Sequence, residues 1–449
     1  MRAGDTIVAV ATAMGESAVG LIRVSGPAAL ATVAPLIQGP APLADIPSHR
    51  LRRVAVIDPR TGDRLDEALC AVMRAPRSYT GEDVVELSCH GSPALLRVVT
   101  ELLIAAGARL AEPGEFTRRA FLNGRMDLAQ AEAVALMIRA RTDRAVALAA
   151  RAMAGLLSSR LRTLRDALLD LIAGLEVTLD FPEEKVGLDV GEAAARAAEL
   201  GREAGQWLHE AQHGRVVHEG LTVALVGPPN AGKSSLLNAL LGRERAIVSP
   251  TAGTTRDVVE GTIALAGVPV TLLDTAGLGV PRDPIEAEGV RRSRRAIEES
   301  DLVLVVLDQS HPPDAHTLAE TASRARILVR AKSDLPPHPA AVALDGALAV
   351  SSLASTGLDV LVARLTDEVR GRASGEGDEG GIVASLRQLE LLAALRRALD
   401  AGERGLVEAP LEVALVDLRA ALADVDALLG VDTGDAVLDR IFSTFCLGK

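Results

Sequence analysis

The chain has 449 residues, 48% of them apolar but only 2% aromatic, so two or three ordinary domains with cores of Leu, Val, Ile and Ala are expected. Its net charge of −12, from 48 basic and 60 acidic residues, argues against a protein that grips nucleic acid by bulk charge, while leaving room for a local basic patch. Three cysteines, Cys70, Cys89 and Cys446, are odd in number and far apart, which suggests neither a disulfide framework nor a zinc knuckle and fits a reducing cytoplasm.

The opening MRAGDTIVAVATAMG has no long apolar core behind a basic start, so no secretory leader is expected. No uncharged apolar run approaches roughly 18 residues, so no membrane span is expected. Up to about residue 118 the chain mixes short apolar runs with Gly and Pro. TIVAVAT (6–12), VGLIRVSG (19–26), RRVAVID (52–58) and DVVELSCHG (83–91) predict strands, and ALLRVVTELLIAAG (94–107) predicts a helix stopped by Gly107: a small α+β domain. From 118 to 180 apolar residues recur at three and four, as in LSSRLRTLRDALLDLIAGL (157–175), and a further helix is expected over 191–211. Strands and helices then alternate to about Arg370. A Gly-rich acidic stretch, GRASGEGDEGGI (371–382), predicts a flexible surface connection. From Ser385 to Lys449 the helical texture returns. The simplest organisation is one helical domain cut in two by an inserted α/β domain, which requires the guest's termini to lie close together.

Within the insert, VALVG (223–227) predicts a buried strand. GPPNAGKSS follows it and fits G-x-x-x-x-G-K-[ST], with the helix SLLNALLG behind: the strand–loop–helix context of a phosphate-binding loop. Backbone N–H groups of Asn230, Ala231, Gly232, Lys233 and Ser234, with Ser235 in the same turn, would surround the β-phosphate at the helix N-terminus. Lys233 would reach the β- and γ-phosphates, and the Ser234 hydroxyl would ligate Mg2+. TAGTTRD (251–257) offers Thr255 as a second Mg2+ ligand. VTLLDTAGL (270–278) predicts a strand ending at Asp274, which would hold Mg2+ through water, followed by Thr275, Ala276 and Gly277, the last giving an N–H to the γ-phosphate. DLVLVVLD (301–308) and RILVRAKSD (326–334) predict further buried strands. Asp334 would accept from the guanine N1–H and exocyclic amine, a donor pair adenine lacks, so the expected nucleotide is GTP. Ser351, Ser352 and Leu353 would complete the base pocket through backbone N–H groups. Together these segments resemble the translation-factor-like GTPases, a P-loop, Ras-like fold.

Two positions depart from that pattern. The base motif Asn-Lys-x-Asp is here Ala331-Lys332-Ser333-Asp334. Losing the amide removes one contact to the base and one tie to the phosphate loop, at about 1 kcal/mol per hydrogen bond. Lys332 can still lie along the base. After DTAG stands Leu278, where many such GTPases place a water-orienting Gln. The nearest downstream carboxylates are Asp283, Glu286 and Glu288.

DTIVA, SYTGEDVVEL, CHG, EPGEF, RRAFLNGRMDLAQAEA, GPPNAGKSSLLN, AGTTRD, DTAGL and the terminal FSTFCLGK together resemble the tRNA-modification GTPase family MnmE (TrmE), from Asp5 to Lys449. The resemblance implies a folate-binding, dimerising α+β domain (1–118), a helical domain in two halves (119–214 and 377–449) and an inserted GTPase domain (215–376). It implies a cytoplasmic, K+-activated GTPase whose GTPase domains pair. Asn230 matches the K+-ligating asparagine, and the loop from Ser249 through Thr251 and Gly253 to Thr254 matches the segment completing that ion's shell. A monovalent cation there would offset γ-phosphate charge as an arginine finger does. Glu286 matches the glutamate that orients the attacking water; taken alone it is also a plausible solvated helix-start carboxylate.

Arg23, Glu86, Arg125 and Lys449 match positions that hold a reduced folate, 5,10-methylene-tetrahydrofolate or its 5-formyl analogue; taken alone, each reads as a surface charge. The family usually has Lys at position 125. Phe442, Phe445 and Leu447 imply a docked tail, which the family places beside the folate with Cys446 essential. Cys446 could be nucleophile, proton donor or small buried apolar residue. At Leu136 the family commonly has Asp. RRSRR (291–295) either pairs across a dimer or is a solvated helix face. The resemblance further implies a homodimer that joins an FAD-dependent partner, MnmG (GidA), in a heterotetramer or larger assembly. This would modify C5 of the tRNA wobble uridine to the aminomethyl or carboxymethylaminomethyl form. The alternative is an RNA-binding ribosome-assembly GTPase without modification chemistry. Such proteins append a KH or OB-type module, and no GXXG-centred KH pattern stands out.

Overall fold

The computed structural model describes residues 4–39, 41–181, 187–244, 246–247, 260–275, 284–373, 381–431 and 433–449, with backbone alone at 246–247, 284–290 and 292. These form two compact units: Met1–Ala135 with Leu157–Leu169 and Leu422–Lys449, and Leu136–Leu156 with Asp170–Ala421.

The first unit is built on a sheet of strands β1 (Ile7–Val10), β2 (Ser17–Ser25), β3 (Ile37–Gln38), β4 (Arg50–Ile57), β5 (Arg64–Met73), β6 (Val84–Gly91) and β7 (Arg109–Leu110), in the spatial order β3-β4-β5-β6-β2-β1-β7. Neighbours are antiparallel except β7, which runs parallel to β1. Alternation sorts the side chains. Val8 of β1 joins Ile22, Val24, Val85 and Leu87 under the helix Pro93–Ala105, while Ile7 and Ala9 pack with Ala111 and Phe116 on the opposite face. Ser92 caps that helix by accepting from the Leu95 N–H, and Gly107, at φ 106°, turns the chain out of it. The central strand β5 escapes sequence reading because Asp66 and Glu67 interrupt its alternation and Ala and Leu dominate the rest. Its place between β4 and β6 buries Ala68, Cys70 and Val72 regardless.

The second unit carries strands β8 (Leu221–Val226), β9 (Ala246–Ile247), β10 (Glu260–Leu265), β11 (Val268–Asp274), β12 (Leu302–Asp308), β13 (Arg326–Ala331) and β14 (Leu348–Ala349), in the order β14-β13-β12-β8-β11-β10-β9. β14, β13, β12, β8 and β11 are mutually parallel, and β10 is antiparallel to both neighbours. Both faces are covered, which explains the unbroken apolar runs. Leu304 and Val306 of β12 pack with Leu236, Leu240, Leu361 and Leu365 from the helices Lys233–Arg243 and Leu358–Ala373. Val303, Val305 and Leu307 pack with Ile297 of the helix Pro284–Glu299. The β10–β11 hairpin, unmarked in the sequence reading, turns on Ala266 and Gly267, both at positive φ.

Helices occupy Leu128–Arg139, Asp143–Met153, Leu156–Asp180, Val190–Glu219, Leu386–Glu408, Leu411–Leu429 and Asp435–Phe442. Ser385 and Gln388 form a reciprocal capping box at the start of Leu386–Glu408. The helix expected over 191–211 runs on to Glu219, because Val217 is buried against the β-sheet core. The first residues of the Gly-rich stretch, 371–373, belong instead to the helix Leu358–Ala373, which buries Val369 and Ala373; residues 374–380 lie outside the described residues.

Candidate functional site

The parallel strands β8, β11, β12 and β13 end on one edge of the second unit's sheet, where open α/β sheets bind ligands. Asp274, Asp308 and Ala331 are the last residues of β11, β12 and β13, and the phosphate-binding loop leaves β8. Gly227 is obligatory there: a Cβ would stand 2.1 Å from the Val306 carbonyl oxygen. Asn230 (φ 63°) and Gly232 (φ 101°) adopt left-handed backbone, and Gly232 caps the helix Lys233–Arg243, so its first N–H groups face the loop. Lys233 is buried, its Nζ donating to the carbonyls of Gly227 (3.1 Å) and Pro228 (3.0 Å). Burial holds its ammonium below its ordinary pKa, against the opposing pull of Asp274.

The Ser234 hydroxyl donates to Asp274 Oδ2 at 2.5 Å. The other carboxylate oxygen, Oδ1, is buried without a partner. An orphaned carboxylate oxygen beside a hydroxyl is the hard-oxygen donor set that suits Mg2+, while the helix N-terminus next to it suits the phosphates such an ion accompanies. Thr275 does not reach into this space. Its hydroxyl and N–H both donate to Leu225 O of β8, at 2.8 and 3.4 Å.

The turn after β13 is fixed from several sides. Lys332 holds a left-handed backbone (φ 57°), and its Nζ pairs with Asp308 at 2.6 Å. Burial would raise the Asp308 pKa, but the hydrogen bonds from Lys332 and Ser310 outweigh it and bring it down to about 2. The Ser351 hydroxyl donates to Asp334 Oδ1 and accepts from the Ala354 N–H at 3.0 Å. The Ser351 N–H itself is committed to the Thr356 carbonyl at 2.9 Å. This corrects the expectation for that residue: its hydroxyl, orienting Asp334, is what it offers the site. Ser352 is half-buried, and Leu353 is 88% exposed. Ala331 packs toward the phosphate loop, its Cβ 3.7 Å from where a Cβ on Gly232 would lie.

The first unit gathers a second set. Arg23 and Glu86 face each other across β2 and β6, with Arg23 Nε donating to Glu86 Oε1 at 2.7 Å. The guanidinium lies 5.4 Å from the Tyr79 ring and 5.6 Å from the Phe116 ring, and donates to Gly448 O at 3.2 Å. The tail is docked: Phe442 and Phe445 are buried with Leu128 and Val134, and the Phe116 N–H donates to Lys449 O at 3.1 Å. Leu447 departs from expectation at 52% exposed, because the turn at Gly448 (φ 89°) commits the backbone, not this side chain, to the unit. Cys446 is exposed, which removes the buried-apolar reading, whereas Cys70 and Cys89 are buried with thiols pushed up to about 12. Arg125 is exposed beside Gly81 and makes no hydrogen bond to Arg23, Glu86 or Lys449 among the described residues.

Beneath this set lies a network that sequence reading missed. Buried Arg119 donates to Asp5 (2.5 Å), Glu82 (3.2 Å) and Glu115 (3.1 Å), and Arg109 joins Asp5 and Glu115 at 2.7 and 2.6 Å. The only available signal was that the motifs DTIVA, SYTGED and EPGEF each carry an acid.

A family model described as "GTP-binding protein TrmE N-terminus" matches residues 6–125, and one described as "MnmE helical domain" matches 128–446. The chain is 42% identical over 458 residues to "tRNA modification GTPase MnmE" of Koribacter versatilis and 44% identical over 449 residues to that of Thermus thermophilus, in both cases covering 100% of each chain. The chain belongs to the MnmE family of tRNA modification GTPases. Among solved structures, Aquifex aeolicus Era bound to GDP and aluminium fluoride is 27% identical, covering 40% of this chain and 66% of that one, with a TM-score of 0.28; the superposition adds nothing to the sequence match.

Several residues singled out in the sequence, Ser249, Thr251, Gly253 and Thr254 by the MnmE resemblance and Thr255, Ala276 and Gly277 by the nucleotide-site motifs, lie outside the described residues. Glu286 falls on the helix Pro284–Glu299, with its side chain outside the description. In RRSRR, Arg294 pairs with Glu320 and Arg295 with Glu299, both at 2.7 Å within the chain, and Ser293 is buried. Leu136, where the MnmE family commonly has Asp, packs against the second unit's core, and its carbonyl accepts from His218 Nε2 at 2.7 Å. No described helix is long and apolar enough to cross a membrane.

Proposed function

We propose that this chain hydrolyses GTP as the K+-activated switch of a tRNA-modifying complex, acting at C5 of the wobble uridine with an FAD-dependent partner and a reduced-folate one-carbon unit. The observation that carries the reading is the Ser234–Asp274 pair, with Asp274 Oδ1 orphaned beside the phosphate-binding loop.

Ser234 and Asp274 would hold Mg2+, with Thr255 as a further ligand, and the ion would neutralise phosphate charge when bound. Lys233, already stripped of water by burial, exchanges two carbonyls for phosphate oxygens. Asp334, oriented by Ser351, accepts from the guanine edge. Glu286 orients the attacking water. Asn230 and the 249–254 segment supply the K+ shell, consistent with the exposed, left-handed Asn230. In the first unit Glu86 takes the pterin amine, Arg23 fixes that carboxylate and the pocket around it, and Arg125 and Lys449 take the folate's anionic end. The donor set fits, since a carboxylate and a guanidinium stand beside the aromatic rings of Tyr79 and Phe116. Cys446 acts in the modification step, a reading supported only by its exposure. The domains follow the division 1–118, 119–214, 215–376 and 377–449, and the homodimer forms through the first of these in the cytoplasm.

The test is GTP hydrolysis in K+ and in Na+ at equal ionic strength over a range of protein concentrations. A rate that rises with K+ and with concentration supports ion-bridged pairing of GTPase domains. A rate indifferent to both removes that mechanism.

A further inference from the structure

The missing base-motif asparagine raises the question of what shapes the turn at 331–335 instead. Lys332 sits in left-handed backbone, which costs a non-glycine residue stability and persists only where its surroundings over-determine it. The surroundings here are the exit of β12. Gln309 engages the turn at both ends: its N–H donates to Ala331 O at 3.0 Å, and its side-chain Nε2 donates to Leu335 O. Its own carbonyl accepts from the His338 N–H at 2.7 Å. Gln309 itself is 5% exposed, so its side chain is held in place by packing as well as by these bonds. Asp308, one residue earlier, holds the Lys332 ammonium at 2.6 Å and is itself steadied by the Ser310 hydroxyl and N–H, at 2.6 and 2.9 Å. From the other side the Ser333 N–H donates to Val350 O at 3.1 Å.

We infer that Asp308 and Gln309 are positioning residues for guanine recognition, fixing from β12 the shape of the turn that carries Lys332 and Asp334 in a chain whose position 331 has no asparagine amide to help fix it. Gln309 sets the path of the turn and so the direction of Asp334. Asp308 pins the Lys332 ammonium and leaves its four-carbon stem as the surface offered to the base. The inference rests on the guanine-site reading above. It goes further in naming two residues outside the motif that set nucleotide specificity in this chain.

The test uses the full chain and fluorescent GDP, with IDP, which lacks the 2-amino group, and ADP as competitors. Gln309→Ala and Asp308→Asn are measured alone and combined with Ala331→Asn, with folding checked by nucleotide-free melting. Gln309→Ala is expected to weaken GDP about tenfold and to shrink the GDP-over-IDP preference, since it frees the Leu335 end of the turn from β12. Asp308→Asn, which keeps the shape, is expected to weaken GDP by a smaller factor. Ala331→Asn is expected to restore most of the GDP-over-IDP preference in Gln309→Ala. A merely structural role would weaken GDP and IDP equally and would not be rescued from position 331. An unchanged preference in both single variants, or equal losses without rescue, overturns the inference while leaving the guanine site standing. A parent chain that binds GDP no better than ADP overturns the guanine site and this inference with it.

Discussion

Ser234 and Asp274 meet hydroxyl to carboxylate at 2.5 Å across 40 positions of sequence, because β8 and β11 are parallel neighbours whose ends coincide. The pair leaves Asp274 Oδ1 buried and unsatisfied, an arrangement that a bound cation resolves. Asp274→Asn is expected to lower the hydrolysis rate by about 100-fold or more and to raise the Mg2+ concentration needed for half-maximal rate. Phosphate release measured across a Mg2+ titration checks both. Chelating Mg2+ should abolish turnover in the parent chain.

Ala331 stands against the phosphate loop at the point where the motif asparagine would tie the base turn to it. Ala331→Asn is expected to tighten GDP about fivefold by adding one to two hydrogen bonds. Competition with fluorescent GDP measures it; weaker binding would mean that the close approach to Gly232 leaves no room for the amide.

Burial lowers the Lys233 pKa in the nucleotide-free chain, and phosphate beside it raises the pKa again. Between those two values the free lysine is partly neutral and the bound one charged, so binding takes up a proton. GDP affinity should therefore fall as pH rises through the lowered value. Calorimetry at alkaline pH in buffers of different ionisation enthalpy should show net proton uptake, and Lys233→Met should remove it.

Arg23 and Glu86 are mutual partners with little exposure, so each variant strands the other. Glu86→Gln is expected to weaken a reduced folate at least about tenfold at a cost of about 1–3 kcal/mol in stability. Equilibrium dialysis with 5-formyl-tetrahydrofolate, beside thermal melting, separates the two effects.

Arg119 is 4% exposed and holds three carboxylates from separate segments. Arg119→Met takes the cation from Glu82 and leaves Asp5 and Glu115 with Arg109 alone, and should destabilise the first unit by about 3–5 kcal/mol. Denaturant unfolding checks this, and hydrolysis by the surviving folded chain should change little, since the residue belongs to the unit without the phosphate loop.

The phosphate loop, Asp274 and Asp334 stand out in the sequence because the chemistry that marks them is local. A glycine-rich turn between a buried strand and a helix is marked by residue types that few other structures demand. The long helices were legible for a similar reason, as a 3.6-residue apolar period repeats over many turns. β5 was not, because its burial comes from strands on either side of it and not from its own alternation. The backbone N–H expected of Ser351 is not free, since only the fold shows that it is spent on Thr356 while the hydroxyl faces Asp334.

The sequence by itself determined the phosphate-loop motif and the residue types proposed for phosphate, magnesium and guanine, because motif and type reside in side chains and short spacing. Tertiary structure alone decided which residues hold them in place. Asp308 and Gln309 look like an ordinary strand end, and Arg119 one arginine among many. Their partners lie 22 to 26 positions away in Ala331, Lys332 and Leu335, and up to 114 away in Asp5. Sheet order and burial bring those partners together, and no local pattern records them.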